Sequence, residues 1–149
     1  MKATTLLERQ QRELQALCEA MMTGSAGLRA SLLPQLVGDL VAHMAIEDQV
    51  FYPAVSQALR EDALVGSCRW GNVQARRSLR RALEVPVDGD EFASVMGELR
   101  TAVQRHAEDD RGLFTRLEGV LEPRAMHDLG LSLLTAYHAK IESGDVGLS

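Results

Sequence analysis

The chain has 149 residues, 46% hydrophobic and 25% charged, with 16 Lys and Arg against 21 Asp and Glu for a net charge of -5. This excludes a disordered chain and fits one domain spanning residues 1–149. Net acidity argues against nucleic acid as a partner, because that affinity rests on neutralising phosphates. Aromatic residues are only 4%, and an apolar set of Leu, Ala, Val and Met favours helices over sheets. No uncharged apolar run of 18 residues occurs, so no transmembrane helix is expected. The segment from Met1 to Arg9 becomes charged too early for a signal-peptide core. The expected compartment is the cytoplasm, where Cys18 and Cys68 are reduced thiols.

Breaks at Thr23–Gly27, Val85–Asp90, Gly119–Pro123 and Ser143–Asp145 divide the sequence. Between them the apolar spacing is helical. A first helix is predicted over about Leu6–Met22, with Thr5 and Glu8 as a capping box and Leu7, Leu14, Leu17, Cys18 and Met21 as its buried stripe. A second runs from about Leu28 to Val50, with Pro34 near its first turns. Pro53 should bend or restart that helix, which then continues to about Leu59. A third covers about Ser67–Leu83 and a fourth about Glu91–Glu118. A last helix spans about Pro123–Ile141, with proline suited to its first turn. Four main helices with short connections predict an all-α, antiparallel up-down four-helix bundle with an extra C-terminal helix.

The polar residues on the predicted core faces carry the information. Leu36, Leu40, His43 and Glu47 share one face of the second helix, and Leu99, Val103, His106 and Asp110 share one face of the fourth. The second set is the first displaced by 63 positions, and the same shift takes Phe51 to Phe114. This pattern reads as a weak internal duplication of a helical hairpin. One His-x-x-x-Glu pair is commonly a solvated i,i+4 pair. Two pairs on facing stripes could converge inside the bundle, where imidazole and carboxylate suit iron, manganese or zinc.

The stretch from Leu40 to Val55, in which His43-x-x-x-Glu47 leads into Val50-Phe51-Tyr52-Pro53, resembles the hemerythrin-like (HHE cation-binding) family. His106-x-x-x-Asp110 followed by Leu113-Phe114 resembles the family's second half. The resemblance covers roughly residues 4–120. It implies a four-helix bundle around a non-haem di-iron centre, and an activity in binding or sensing oxygen, nitric oxide, peroxide or iron. His43, Glu47 and His106 match the family's ligand positions, and Asp110 matches with a side chain one methylene shorter. Where the family has a histidine on its first helix this chain has Gln11. On the third helix the stripe register selects Asn72; choosing Gln74 instead would turn Arg77 and Arg81 into the core. Amide oxygens are weak ligands for transition metals, so the resemblance implies an altered or vestigial site. Without metal, Gln11, His43, Glu47, Asn72, His106 and Asp110 are expected to satisfy one another in a buried polar network.

Cys18 and Cys68 should lie about 16 Å apart along the bundle axis at 1.5 Å per residue, too far for a disulfide. His127 and His138 lie off the motif and are expected at the surface or in packing. Arg69, Arg76, Arg77, Arg80 and Arg81 fall on the outer face of the third helix. They form either a solvated, ion-paired face or a docking patch for an acidic protein partner, with Trp70 beside it as a contact residue or a cap on the core. Met21, Met22, Met44 and Met96 are read as core filler. The leading expectation is a hemerythrin-like cytoplasmic protein with an altered or vestigial non-haem metal site; if metal binds, His43, Glu47, His106 and Asp110 are its first ligands, with Gln11 and Asn72 as weaker candidates, and the role is oxygen, nitric oxide or iron sensing or binding. The alternatives are a metal-free interaction module and a di-metal oxidase, against which the amides at Gln11 and Asn72 count.

Overall fold

The computed structural model describes residues 1–147. It contains α1 (Ala3–Thr23), α2 (Ala26–Ile46), a π-helical turn (Glu47–Phe51), α3 (Tyr52–Leu59), α4 (Asp62–Glu84), α5 (Phe92–Glu118) and α6 (Pro123–Ser143). Four long helices, α1, α2, α4 and α5, form the bundle; α2 continues through the π-turn into α3. Helix α1 packs against α2 and α5, α4 packs against α5, and α6 lies across α1 and α2.

The elements keep the predicted chain order, with three local differences. Helix α1 begins at Ala3, so Thr5 lies inside it and forms no capping box; Thr4 instead donates its hydroxyl to Glu118 at 2.6 Å. Helix α2 begins at Ala26, capped by Ser25, whose hydroxyl accepts from Leu28 N–H. Pro34 therefore stands well inside the helix, where its missing N–H removes one backbone bond. Helix α4 starts at Asp62, five residues before the predicted Ser67.

Pro53 does restart the second helix. It occupies the first turn of α3, where its missing N–H would in any case be unpaired. The strain is absorbed just upstream: Tyr52 N–H bonds to the Glu47 carbonyl, five residues back, which is the π-turn's own pattern. The widened turn rotates the start of α3 relative to α2, so the adjacent residues Phe51 and Tyr52 are both fully buried.

Two apolar clusters fill the bundle. One gathers Leu14, Cys18, Met21, Leu40, Met44, Leu79, Met96 and Leu99; the other gathers Leu7, Ile46, Phe51, Val65, Cys68, Leu113, Phe114 and Leu133. Both cysteines are free and buried in separate clusters, in keeping with the axial separation read from the sequence. Phe51 and Phe114, which the 63-residue offset relates, meet edge to face at 5.5 Å.

Gly130 lets α6 approach the start of α1. A Cβ there would stand 2.2 Å from the Met1 carbonyl oxygen and 3.0 Å from Ala3 N, which is backbone that cannot yield cheaply. Gly130→Ala should therefore destabilise the protein by about 1–3 kcal/mol in urea unfolding. Gly112→Ala, where a Cβ meets nothing within 4 Å, should be neutral or stabilising by up to about 1 kcal/mol. Equal effects at the two positions would contradict this packing.

Candidate metal centre

Between the apolar clusters lies a layer of buried polar side chains: Gln10, Gln11, His43, Glu47, Asn72, His106 and Asp110. A carboxylate placed there without partners would be strongly unfavourable. Glu47 is fully buried at the start of the π-turn that follows α2, and its Oε1 lies 3.2 Å from His43 Nε2 and 3.0 Å from His106 Nε2. His106 Nε2 also lies 3.1 Å from Asp110 Oδ2. The four residues expected from spacing thus converge at one point, two from each of two helices.

Each member is held from outside. His43 Nδ1 lies 2.7 Å from Gln10 Oε1, an arrangement in which Nδ1–H donates and Nε2 faces Glu47. Gln11 Nε2 donates to Asp110 Oδ2 at 2.8 Å, and the Tyr52 hydroxyl donates to Asp110 Oδ1 at 2.8 Å. Tyr52 OH also lies 3.2 Å from His106 Nε2.

Asn72 is fully buried, as the stripe register requires, while Gln74 is only partly buried. Asn72 nevertheless stands outside the network expected to include it. Its Nδ2 donates to Asp48 Oδ1 at 3.3 Å, and its Oδ1 is buried without a hydrogen-bond partner. Asp48, in the π-turn, also receives Arg76 at 2.7 Å on its carboxylate and Arg69 at 3.2 Å on its carbonyl. Three residues of α4 therefore grip the π-turn that carries Glu47. Arg69 additionally lies over the Tyr52 ring, 5.3 Å from its centroid.

The rest of the arginine face is also engaged within the chain: Arg81 pairs with Glu98 at 2.8 Å, and Arg77 lies 5.2 Å over the Trp70 ring. His127 and His138 are exposed and far from the layer in sequence.

Gln10, Asp48 and Tyr52 are the site residues that helical spacing does not single out. Gln10 sits beside Gln11, and only packing reveals that both turn inward. Asp48 and Tyr52 are re-aimed by the π-turn, of which Pro53 is the sequence signal.

The electrostatics of the layer arise from this geometry. Burial opposes ionisation of Glu47, but the adjacent His43 and His106 outweigh it and hold its carboxyl well below the usual range. Burial and then the neighbouring Glu47 charge push Asp110 well above the usual range. Burial works against the His106 cation, yet Glu47 and Asp110 raise it to about 11 from 6.5. In the metal-free layer the two imidazoles thus favour the Glu47 anion, while that anion and burial work against a second negative charge on Asp110.

A donor set for a cation is present. One ligand atom each from His43, Glu47 and Asp110 lie within 4.8 Å of one another. His43 Nε2 and Glu47 Oε2 are buried without hydrogen-bond partners, as donors reserved for an ion would be. A cavity of about 10 Å³ beside the layer is bounded by Gln11, His43, Asn72 and His106 among apolar side chains.

The chain matches the model of the hemerythrin HHE cation binding domain over residues 2–117. It belongs to that family. The fold agrees with a crystal structure of a hemerythrin HHE cation binding domain-containing protein, the Rv2633c homolog from Mycobacterium kansasii. The TM-score is 0.81 at 19% identity, over 96% of this chain and 89% of that one. No curated protein matches the chain. The four-helix bundle and family membership expected from His43-x-x-x-Glu47 are borne out. None of the described helices is long and apolar enough to cross a membrane.

The His106 shift fixes a pH dependence for the metal-free protein. A histidine whose folded pKa exceeds its unfolded value contributes stability that is complete below about 6.5 and is lost as pH rises towards about 11. The stability difference between the parent and His106→Gln, measured by urea unfolding, should shrink steadily from pH 6 to pH 10. A pH-independent difference would contradict a buried imidazolium.

Proposed function

We propose that this hemerythrin-like protein binds a single non-haem metal ion, iron foremost, through His43, Glu47, His106 and Asp110, and serves to bind or sense iron or a small diatomic molecule such as oxygen or nitric oxide. The observation that carries the reading is the convergence of two imidazoles and two carboxylates on one buried point, with His43 Nε2 and Glu47 Oε2 left without hydrogen bonds. The family's di-iron arrangement draws on further histidines, whereas Gln11 here is committed to Asp110 and Asn72 to Asp48. Two imidazoles with carboxylates are a donor set proper to one ion.

The chain's own residues prepare that set. Gln10 fixes the orientation of the His43 ring, leaving Nε2 towards the centre. Glu47 is already ionised when metal is absent. Tyr52 and Gln11 orient Asp110, whose carboxyl is held above the usual range by burial and the Glu47 charge, so an arriving cation would favour its anion. When bound, iron supplies redox chemistry and affinity for small diatomic ligands. The flanking apolar clusters exclude bulk water from the layer.

Anaerobic titration with ferrous iron should reach one ion per chain. Glu47→Gln, which keeps the shape and removes the charge, should weaken uptake by more than the about 10–100-fold that loss of an outer hydrogen-bond partner costs. Gln11→His combined with Asn72→His should strengthen binding. Less than about 0.1 iron, manganese or zinc per chain after reconstitution, where a ligand set this complete should fill, would sink the metal reading in favour of a metal-free module.

A further inference from the structure

Helix α6 packs one face against α1 and α2 and leaves the opposite face uncovered. Its inner side buries Met126, Gly130 and Leu133. On its outer side Arg124, Asp128, Leu131, Thr135, His138 and Glu142 are all exposed. They recur at intervals of four, three, four, three and four residues, the period of a seam along which two helices pair. Leu131 lies near the middle of this row and, at 66%, is the most exposed large hydrophobic side chain among the described residues.

The charges of this row are unused within the chain. Arg124, Asp128 and Glu142 make no ion pair or hydrogen bond among the described residues, although Arg124 and Asp128 stand one turn apart. The His138 ring packs edge-on against Tyr137, 6.0 Å away, which limits its rotation.

The order of the row makes it complementary to itself. Laid antiparallel about the level of position 133, two copies set Arg124 opposite Glu142, Asp128 opposite His138, and Leu131 opposite Thr135. Each position then meets an opposite charge, a donor for its acceptor, or a methyl-bearing side chain. Parallel pairing would instead set Arg124 on Arg124, Asp128 on Asp128 and Glu142 on Glu142, a like-charge contact at every charged position. A two-fold axis, the commonest symmetry of paired subunits, generates the antiparallel arrangement. The row spans about 27 Å at 1.5 Å per residue, nearly the whole helix.

We propose that the outer face of α6 is a dimer interface, on which a second copy of this chain docks its own α6 antiparallel about a two-fold axis. Leu131 and Thr135 of the two copies form the centre, and the Asp128–His138 and Arg124–Glu142 pairs form the flanks. One helix from each subunit makes a small contact, below the roughly 1,200 Å² at which stable specific interfaces begin, so the dimer should dissociate at roughly 10–100 µM. The surface lies outside the polar layer, and the inference neither uses nor supports the metal reading.

Sedimentation velocity of the full, metal-free chain in low salt is the test. The parent protein should pass from monomer to dimer between about 5 and 500 µM. Leu131→Glu, which places two carboxylates at the centre of the contact, should weaken the dimer about tenfold or more. Arg124→Glu sets glutamate against Glu142 at both ends of the two-fold contact and should weaken it by about tenfold as well. Adding Glu142→Arg to Arg124→Glu should restore parent association, because the swapped pair has the same complementarity. All three positions are exposed, so the variants should keep the parent's circular dichroism and melting temperature. A parent chain that is monomeric at 500 µM, a dimer indifferent to Leu131→Glu or Arg124→Glu, or a charge swap that fails to restore association would each overturn the proposal.

Discussion

Everything in the middle of this bundle depends on one buried carboxylate. Glu47 is fully enclosed, and an unpaired charge there would be incompatible with a stable fold. His106 Nε2 holds it at 3.0 Å, His43 Nε2 stands 3.2 Å away, Asp110 beside it is kept well above the usual carboxylate range, and Gln10, Gln11 and Tyr52 secure the others. The polar layer divides the interior into two apolar clusters. Hydrophobic burial can supply the stability of such a bundle, but the layer fixes the register of α2 against α5, because sliding either helix would strand a charge.

The π-turn is the second constraint. It arises from Pro53, and it carries Glu47 and Asp48 on a segment that α4 clamps through Arg69, Asn72 and Arg76. The same residues that look in sequence like a missing ligand and a solvated basic face are thereby structural. Asn72 serves to tie α4 to the turn beneath the site.

Much of this was legible in the residues themselves. The 3.6-residue spacing set the helices, and the 63-residue offset brought His43, Glu47, His106 and Asp110 together, down to the contact of Phe51 with Phe114. Gln11 and Asn72 lie in the core as their stripes require. What spacing could not supply was direction: whether Asn72 turns towards Glu47 or Asp48 depends on a π-turn that shifts the register by a fraction of a turn. Gln10 and Tyr52 escaped for the same reason, since each neighbours a residue that an ideal helix would place inside. Thr5 escaped differently, because Lys2 and Thr4 meet Glu118 across the bundle and extend α1 past its local cap. The close packing of Gly71 on the His106 ring, 35 positions away, is likewise a contact that a single chain pattern cannot reveal.

The central claim is that one ion, rather than the family's pair, is held by the two imidazoles and two carboxylates of this layer. X-ray absorption of the iron-loaded protein tests it most directly. The account predicts nitrogen and oxygen neighbours at roughly 2.0–2.2 Å, with an imidazole contribution that diminishes in His43→Gln. A second metal at about 3.5–4 Å, the spacing of two-metal sites, or a spectrum indifferent to His43, would contradict it.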